Sequence, residues 1–301
     1  MTIRNVAIIG LGLLGGSIGL AIREHAPDLA TTGFDRDETV RAKAAERGLV
    51  GTVSETIDEA VADADLVVLC VPMGAMGDAA RAMAESVPAH AIISDVGSSK
   101  QGVADTLAEA LPDHIIIPAH PVAGTEQSGP EAGFPSLFVN RWCILTPPAN
   151  ADEAAVKALS EFWTGLGAKI ELMDAEHHDL VLAVTSHIPH LIAFTIVGTA
   201  SDLEDVTRSE VIKYSAGGFR DFTRIAASDP VMWRDVFLSN KSAVLEMLGR
   251  FTEDLTALQR AIRSGDGDTL HDLFSRTRAI RRQVIEQGQD DERPDFGRKD
   301  H

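Results

Sequence analysis

The sequence predicts an α/β fold, a doubly wound parallel sheet, followed by an all-helical region. Three observations carry that expectation. An apolar, β-branched run at residues 3–9 (IRNVAII) passes directly into Gly10-Leu11-Gly12-Leu13-Leu14-Gly15. Short apolar runs then alternate with helix-like stretches through the first half of the chain, the pattern of parallel strands joined by helices. After about Asp174 the strand signals stop and long helical segments take over.

The elements follow in order. Strands are expected at residues 6–9, 31–35, 66–71, 91–94 and 115–118, with helical patterning at 37–47, 74–85 and 98–111. Two more strands, 142–146 and 168–172, flank a helix at 151–166. Residues 175–200 are apolar on nearly all sides, which predicts a buried helix or helix pair. Segments 239–264 and 268–286 carry amphipathic spacing, and the polar tail from Gln287 is expected to fray. No internal repeat is present. The division expected is residues 1–173 for a dinucleotide-binding domain, 174–288 for a helical domain and 289–301 for the tail.

Composition narrows the function. A chain of 301 residues, 45% hydrophobic, can build two cored domains. Its net charge of −18 argues against nucleic acid or an anionic membrane as partner. A small anionic substrate would then need a local basic site. Cys70 and Cys143 are too few for a disulfide framework or a Cys-rich zinc site. The N-terminus lacks the order of a signal peptide, and the apolar run 191–197 is short and interrupted by Thr195, so a cytoplasmic protein is expected.

The glycine motif is weak alone and stronger in context: a strand precedes it, a helix follows, and Asp35 lies twenty residues past Gly15 at the end of a second strand. This is the Rossmann-type arrangement. Gly10 permits the tight turn, Gly12 lets the backbone approach a pyrophosphate, and Gly15 allows close strand–helix packing. Gly16 and Gly19 are read as adding further room. Leu13 and Leu14 open a helix whose free N–H groups and positive end suit phosphates. Asp35 can accept both ribose hydroxyls and would repel a 2′-phosphate, favouring NAD over NADP. Arg36 beside it pulls the other way.

Ligands of open parallel sheets bind beyond the carboxyl ends of the strands. Val71 and Pro72 close one strand where the chain would pass under the nicotinamide ribose. Ser98, in Asp95-Val96-Gly97-Ser98-Ser99-Lys100, is either a helix cap or a substrate or cofactor contact. His120 ends an apolar strand between Pro118 and Pro121, a placement that suits catalysis. In Ser186-His187-Ile188-Pro189-His190 the proline must break or kink a helix, and the two histidines read as a polar wall, since no acidic or Cys ligand has metal-site spacing. The glycine pair Gly217-Gly218 beside Arg220 and Arg224 suits a carboxylate; the alternative is a surface ion-pair network among Arg220, Asp221, Arg224 and Asp235.

Together these pieces resemble the prephenate/arogenate dehydrogenase family. The carrying segments are residues 10–17 (GLGLLGGS), 95–100 (DVGSSK), 120–126 (HPVAGTE), 186–190 (SHIPH) and 217–233 (GGFRDFTRIAASDPVMW), in family order and spanning residues 3 to about 240. The resemblance implies a helical dimerisation domain, a homodimer, and NAD-dependent oxidative decarboxylation of a cyclohexadienol in tyrosine biosynthesis, without a metal. It makes His120 the acceptor of the ring-hydroxyl proton, Arg224 the ligand of a substrate carboxylate, and Ser98 a residue between nicotinamide and substrate. Thr125, Glu126, Ser186, His187, His190 and Gly217 would line the pocket, with Asp221 and Trp233 reaching it from the partner subunit.

Prephenate is the expected substrate, giving 4-hydroxyphenylpyruvate; arogenate, whose ammonium Glu126 could pair, or dual use is the alternative. A reading of a different class is a non-catalytic NAD-binding module.

Overall fold

The computed structural model describes residues 2–125, 127–202, 213 and 217–286. The chain divides into two compact units, Met1–Leu245 and Glu246–His301.

The first unit opens with β1 (Asn5–Ile9), α1 (Leu13–His25), β2 (Ala30–Phe34), α2 (Glu38–Arg47), β3 (Thr52–Val53), α3 (Ile57–Val61) and β4 (Leu66–Leu69). It continues with α4 (Met76–Met83), β5 (Ile92–Asp95), α5 (Gln101–Ala110) and β6 (Ile115–Ile116). These six strands form one sheet in the order β3-β2-β1-β4-β5-β6, every pair parallel. The doubly wound parallel sheet expected from the sequence is therefore present, with its strand order reversing between β1 and β4. That reversal is where open α/β sheets bind ligands.

Alternation along the strands makes two cores. Val6, Ile8, Leu66, Val68 and Ile92 face one layer, with Ile18 and Ile22 of α1. Ala7, Ile9, Val67, Leu69 and Ile93 face the other, with Met76, Met83, Val103 and Leu107 of α4 and α5. A strand buried on both sides must be apolar at consecutive positions, as these are.

The expected strand at 115–118 ends earlier, at Ile116, and His120 lies on a strand of its own, β7 (Ala119–Pro121). Pro118 has no N–H to extend a ladder, and its carbonyl instead accepts from Thr146 N at 2.9 Å. With β8 (Trp142–Leu145) and β9 (Lys169–Leu172), β7 forms a second, three-stranded sheet in which His120 pairs antiparallel with Ile144. Helix α6 (Glu153–Gly165) joins β8 to β9 and buries Phe162 and Trp163 in the first core.

Then come α7 (Ala175–Leu182), a π-helical turn at Ala183–His187, and α8 (Ile188–Ser201). Pro189 was expected to break or kink this run. It does not break the run, which stays helical from Ala175 to Ser201. The wider π-turn just before the proline absorbs its missing hydrogen bond, as such bulges do. The segment is also less buried than its composition suggested: Val184, Ile196 and Val197 are exposed. By length and composition the run could cross a membrane, yet it carries His178, Asp179 and His187 buried within the unit. Helices α9 (Gly217–Thr223), α10 (Pro230–Ser239) and the start of α11 (Lys241–Ser264) complete the unit.

In the second unit α11 runs to Ser264 and Gly265, at φ +70°, turns the chain into α12 (Gly267–Glu286). Asp266 caps α12 by accepting from Thr269 N at 3.0 Å. The tail from Gln287 lies outside the described residues.

Candidate active site

The β1–α1 loop is built around three glycines with three different jobs. Gly10 adopts φ +98°, and a Cβ there would stand 2.6 Å from the Cys70 carbonyl oxygen. A Cβ on Gly15 would stand 1.9 Å from the Gly10 carbonyl oxygen, so α1 closes on its own strand only with glycine there. Gly12 differs: a Cβ there would meet nothing within 4 Å. The space over Gly12 lies at the start of α1, which has neither a side-chain cap nor an acidic residue in its first turn. Open space at an uncapped helix N-terminus, where Leu13 and Leu14 begin the helix, is what a pyrophosphate requires. Gly19 makes a different use of its small size than the extra room expected. Its Cβ would stand 2.0 Å from the Leu49 carbonyl oxygen, and that of Gly16 3.0 Å from the Leu49 side chain. Both serve helix packing.

Asp35, at the end of β2, ties this loop down. Its Oδ2 accepts from Leu11 N at 2.9 Å and its Oδ1 from Asp37 N at 3.0 Å. Arg36 is exposed, and the guanidinium that approaches the loop is that of Arg41, which donates to the Asp35 carbonyl at 2.9 Å. Val71 and exposed Pro72 follow β4 directly beside Gly10. The donor set and the open cradle fit a dinucleotide carrying a diphosphate and a free ribose.

His120 lies just past the carboxyl end of β5. Ala119 N donates to Asp95 Oδ1 at 3.1 Å. Lys100, wholly buried, ion-pairs with Asp95 and donates to the Ala119 carbonyl at 2.7 Å. Burial drives the His120 pKa well below its usual 6.5, helped by His178 and by the positive charge of Lys100. The ring is thus neutral near pH 7. His120 Nδ1 lies 2.8 Å from His178 Nε2, and His178 Nδ1 lies 2.8 Å from Asp179 Oδ1.

Ser98 is half-buried and does not cap α5. That role falls to Asp179 of α7, which accepts from Lys100 N at 2.7 Å and Gln101 N at 3.0 Å. The cap reading of Ser98 is therefore corrected: a carboxylate from another helix already occupies the position.

On the helical side, buried His187 accepts from Asn240 Nδ2 at 3.1 Å through its Nδ1, and burial pushes its pKa down to about 4. His187 also meets the Ser98 backbone, and the Trp233 Nε1 is a buried polar atom without a protein partner among the described residues, the kind a ligand commonly satisfies. His190 donates through Nδ1 to the Ser186 carbonyl at 2.9 Å and stacks on Trp233 with ring centroids 3.6 Å apart. The charge of exposed Arg224 reaches His190 and, after burial, lowers its pKa. The structure thus brings Ser186, His187, His190, Arg224 and Trp233 into one neighbourhood.

Arg220 pairs with Asp221 at 3.4 Å, so part of the alternative ion-pair reading also holds, while Asp235 pairs with Arg234, outside that reading, at 2.7 Å. Gly217 faces the Asp221 carboxylate. Thr125 is exposed, its hydroxyl accepting from Gln127 N at 3.1 Å, and Glu126 lies outside the described residues. Among the described residues no cluster of three or more metal-ligand side chains occurs.

Sequence reasoning missed His178, Asp179 and Asn240, and gave Lys100 no role. The available signal was a His-Asp pair directly before the apolar run that begins at Leu180: such groups are seldom buried without partners.

Residues 18–172 match the nucleotide-binding domain of prephenate dehydrogenase, and residues 174–276 match its dimerization domain. The cyclohexadienyl dehydrogenase of Zymomonas mobilis is 46% identical over 278 residues, covering 92% of this chain and 95% of the relative. A prephenate dehydrogenase of Bacillus subtilis is 33% identical, with 92% and 75% covered. Among solved structures, the prephenate dehydrogenase of A. aeolicus in complex with hydroxyphenyl propionate and NAD+ superposes with a TM-score of 0.87 at 31% identity, covering 94% of this chain and 99% of that one. The Synechocystis arogenate dehydrogenase superposes with a TM-score of 0.80 at 26% identity, covering 93% and 100%. A dinucleotide cradle, a neutral histidine beyond the sheet and matches to both domains lead to one assignment: the chain belongs to the prephenate dehydrogenase family.

Proposed function

We propose that this chain oxidises and decarboxylates prephenate to 4-hydroxyphenylpyruvate with NAD, as a cytoplasmic homodimer of tyrosine biosynthesis. The observation that carries the reading is His120: a buried, neutral imidazole just beyond the carboxyl end of β5. The relatives' names and the NAD+ in the A. aeolicus structure support the substrate class and the cofactor. NAD, when bound, supplies the acceptor for the hydride leaving the ring carbon.

The chain does the rest. Gly10, Gly12, Leu13, Leu14 and Gly15 would hold the pyrophosphate, Asp35 the adenosine ribose, and Val71 and Pro72 the nicotinamide ribose. The Asp35 charge opposes a 2′-phosphate, whereas Arg36 and the neighbouring Arg41 guanidinium favour one. His120 accepts the proton of the ring hydroxyl, which pushes electrons toward the departing hydride. The electron pair of the carbon–carbon bond to the ring carboxylate passes into the ring as CO₂ leaves, the ring oxygen takes the proton back from His120, and the ring becomes aromatic, so the step does not reverse. Arg224 binds the remaining carboxylate and sets local positive charge on a chain of net −18. Ser98 stands between cofactor and substrate. Thr125, Glu126, Ser186, His187, His190, Gly217, Asp221 and Trp233 surround them; Trp233, expected from the partner subunit, instead stacks on His190 of its own chain, and Asp221 serves the partner's site. Residues 1–173 hold the cofactor and 174–288 dimerise. Exposed Val184 on the π-helical turn and Ile196 and Val197 on α8 support burial of this run against a second copy.

Arogenate is a second reading, favoured by the 46% identical relative named for cyclohexadienyl substrates in general. The test is purified protein with NAD or NADP and prephenate or arogenate, followed by reduced-nicotinamide absorbance. Turnover with NAD and prephenate is expected, and His120→Asn should lower kcat by about 10²–10⁴-fold with KM little changed. Binding of NAD with no turnover of either compound, or unimpaired His120→Asn, overturns the reading.

A further inference from the structure

We propose that His178 and Asp179 are positioning residues that fix His120 as the Nδ1–H tautomer, leaving its Nε2 as the sole proton acceptor. The proposal rests on the functional reading of His120 and assigns its helical neighbours a part in it.

The argument starts at the far end of the chain of contacts. The Asp179 carboxylate already accepts two backbone N–H groups, from Lys100 at 2.7 Å and Gln101 at 3.0 Å. A carboxylate can only accept. The His178 Nδ1 facing it at 2.8 Å must therefore carry a hydrogen. Burial keeps His178 from taking a second proton, lowering its pKa despite the hydrogen bond to Asp179. Its Nε2 then holds a lone pair. The His120 Nδ1, 2.8 Å away, must donate to it. His120 is itself neutral, so its Nε2 is bare. Free histidine prefers the opposite tautomer, with the proton on Nε2. Without the relay, His120 would mostly present a donor to the substrate hydroxyl where the reaction needs an acceptor.

The relay is held rigidly. His178 is fully buried, with its ring edge-on to His120 at 5.1 Å between centroids. The Asp179 backbone carbonyl accepts from Asn240 Nδ2 at 2.7 Å. Because Asp179 also caps α5, the helix that carries His178 and the helix after β5 are seated by one carboxylate. The tautomer of the base on β7 is thereby tied to the seating of α7 on α5.

The test reads the tautomer directly. Long-range nitrogen–proton spectra of ¹⁵N-histidine-labelled protein, with the His120 signals assigned by their loss in His120→Asn, should show a protonated Nδ1 and a bare Nε2. His178→Leu should shift His120 toward Nε2–H and lower kcat about 100-fold or more, with the KM for NAD within about twofold. His178→Gln places an amide oxygen where Nε2 stood, and should restore the Nδ1–H signal and kcat to within about tenfold of the native protein. A bare Nδ1 on His120 in the native protein overturns the proposal whatever the variants do. So does a folded His178→Leu that keeps tautomer and turnover, or a folded His178→Gln no better than His178→Leu. The spectra need no substrate, so the two readings fail separately. The expected tautomer without turnover counts against the function alone, and turnover with the other tautomer counts against the relay alone.

Discussion

Asp35 shows how one side chain can serve two ends. Its two oxygens accept from Leu11 N and Asp37 N, so the carboxylate braces the glycine loop as well as offering acceptors to a ribose. A serine could bridge only one of those donors. A hydrogen bond to a charged group is worth about 1.5–3 kcal/mol, or roughly 10–100-fold in binding. Asp35→Ser should therefore raise the KM for NAD by roughly 10–100-fold. Removing the negative charge should at the same time narrow the preference for NAD over NADP, because Arg36 would then stand beside the site unopposed. Steady-state kinetics with both cofactors check this. Unchanged KM for NAD would remove Asp35 from the ribose site, and a KM raised equally for both cofactors would reduce its role to bracing.

At the scale of the element, α1 separates glycines that bind from glycines that pack. Gly12→Ala puts a methyl into open space, so stability should stay within about 0.5 kcal/mol while NAD affinity falls sharply. Gly19→Ala drives a methyl into the Leu49 carbonyl, so stability should fall by about 1–3 kcal/mol, while folded protein retains NAD affinity. Denaturant titration and NAD binding on both variants distinguish the two roles; equal loss of affinity in both would contradict the division. The sequence could not make this distinction for Gly19, since spacing records that a residue is small and not what presses on it. It was legible that β1 enters a glycine turn, because strand, motif and Asp35 are local in the chain. The ending of β6 at Ile116 and the separate strand under His120 were not, because they depend on pairing with β8, over twenty residues on. His178 and Asp179 were hidden for the same reason. Their partners, Lys100, Gln101 and His120, lie roughly sixty to eighty residues away, and beside Glu176 and His177 the pair reads as the polar opening of a helix.

Across the whole molecule, the histidines that build the site make folding sensitive to acid. His120, His178, His187 and His190 all have pKa values lowered chiefly by burial. Below 6.5 the unfolded chain takes up protons at these rings and the folded chain does not, so stability is full above 6.5 and falls as pH drops toward the folded values. For His187, whose value falls from 6.5 to about 4, the loss approaches about 3 kcal/mol by pH 4. The net charge of −18 acts in the other direction, since protonating carboxylates relieves surface repulsion. The two contributions differ in range. Repulsion between exposed charges is screened over about 8–10 Å at physiological salt, whereas burial of a neutral ring is not screened. The histidine contribution should dominate in salt. Thermal melts at 0.15 M salt should be flat from pH 8 to about 7 and decline toward pH 5, and raising the salt should leave that decline in place. His187→Gln, which removes one titrating ring, should make the decline shallower. A melting temperature that holds or rises between pH 7 and 5 would show that these rings are not buried neutral in the folded protein. It would also take away the physical basis for a His120 that stays neutral, and able to accept a proton, well below the ordinary histidine range.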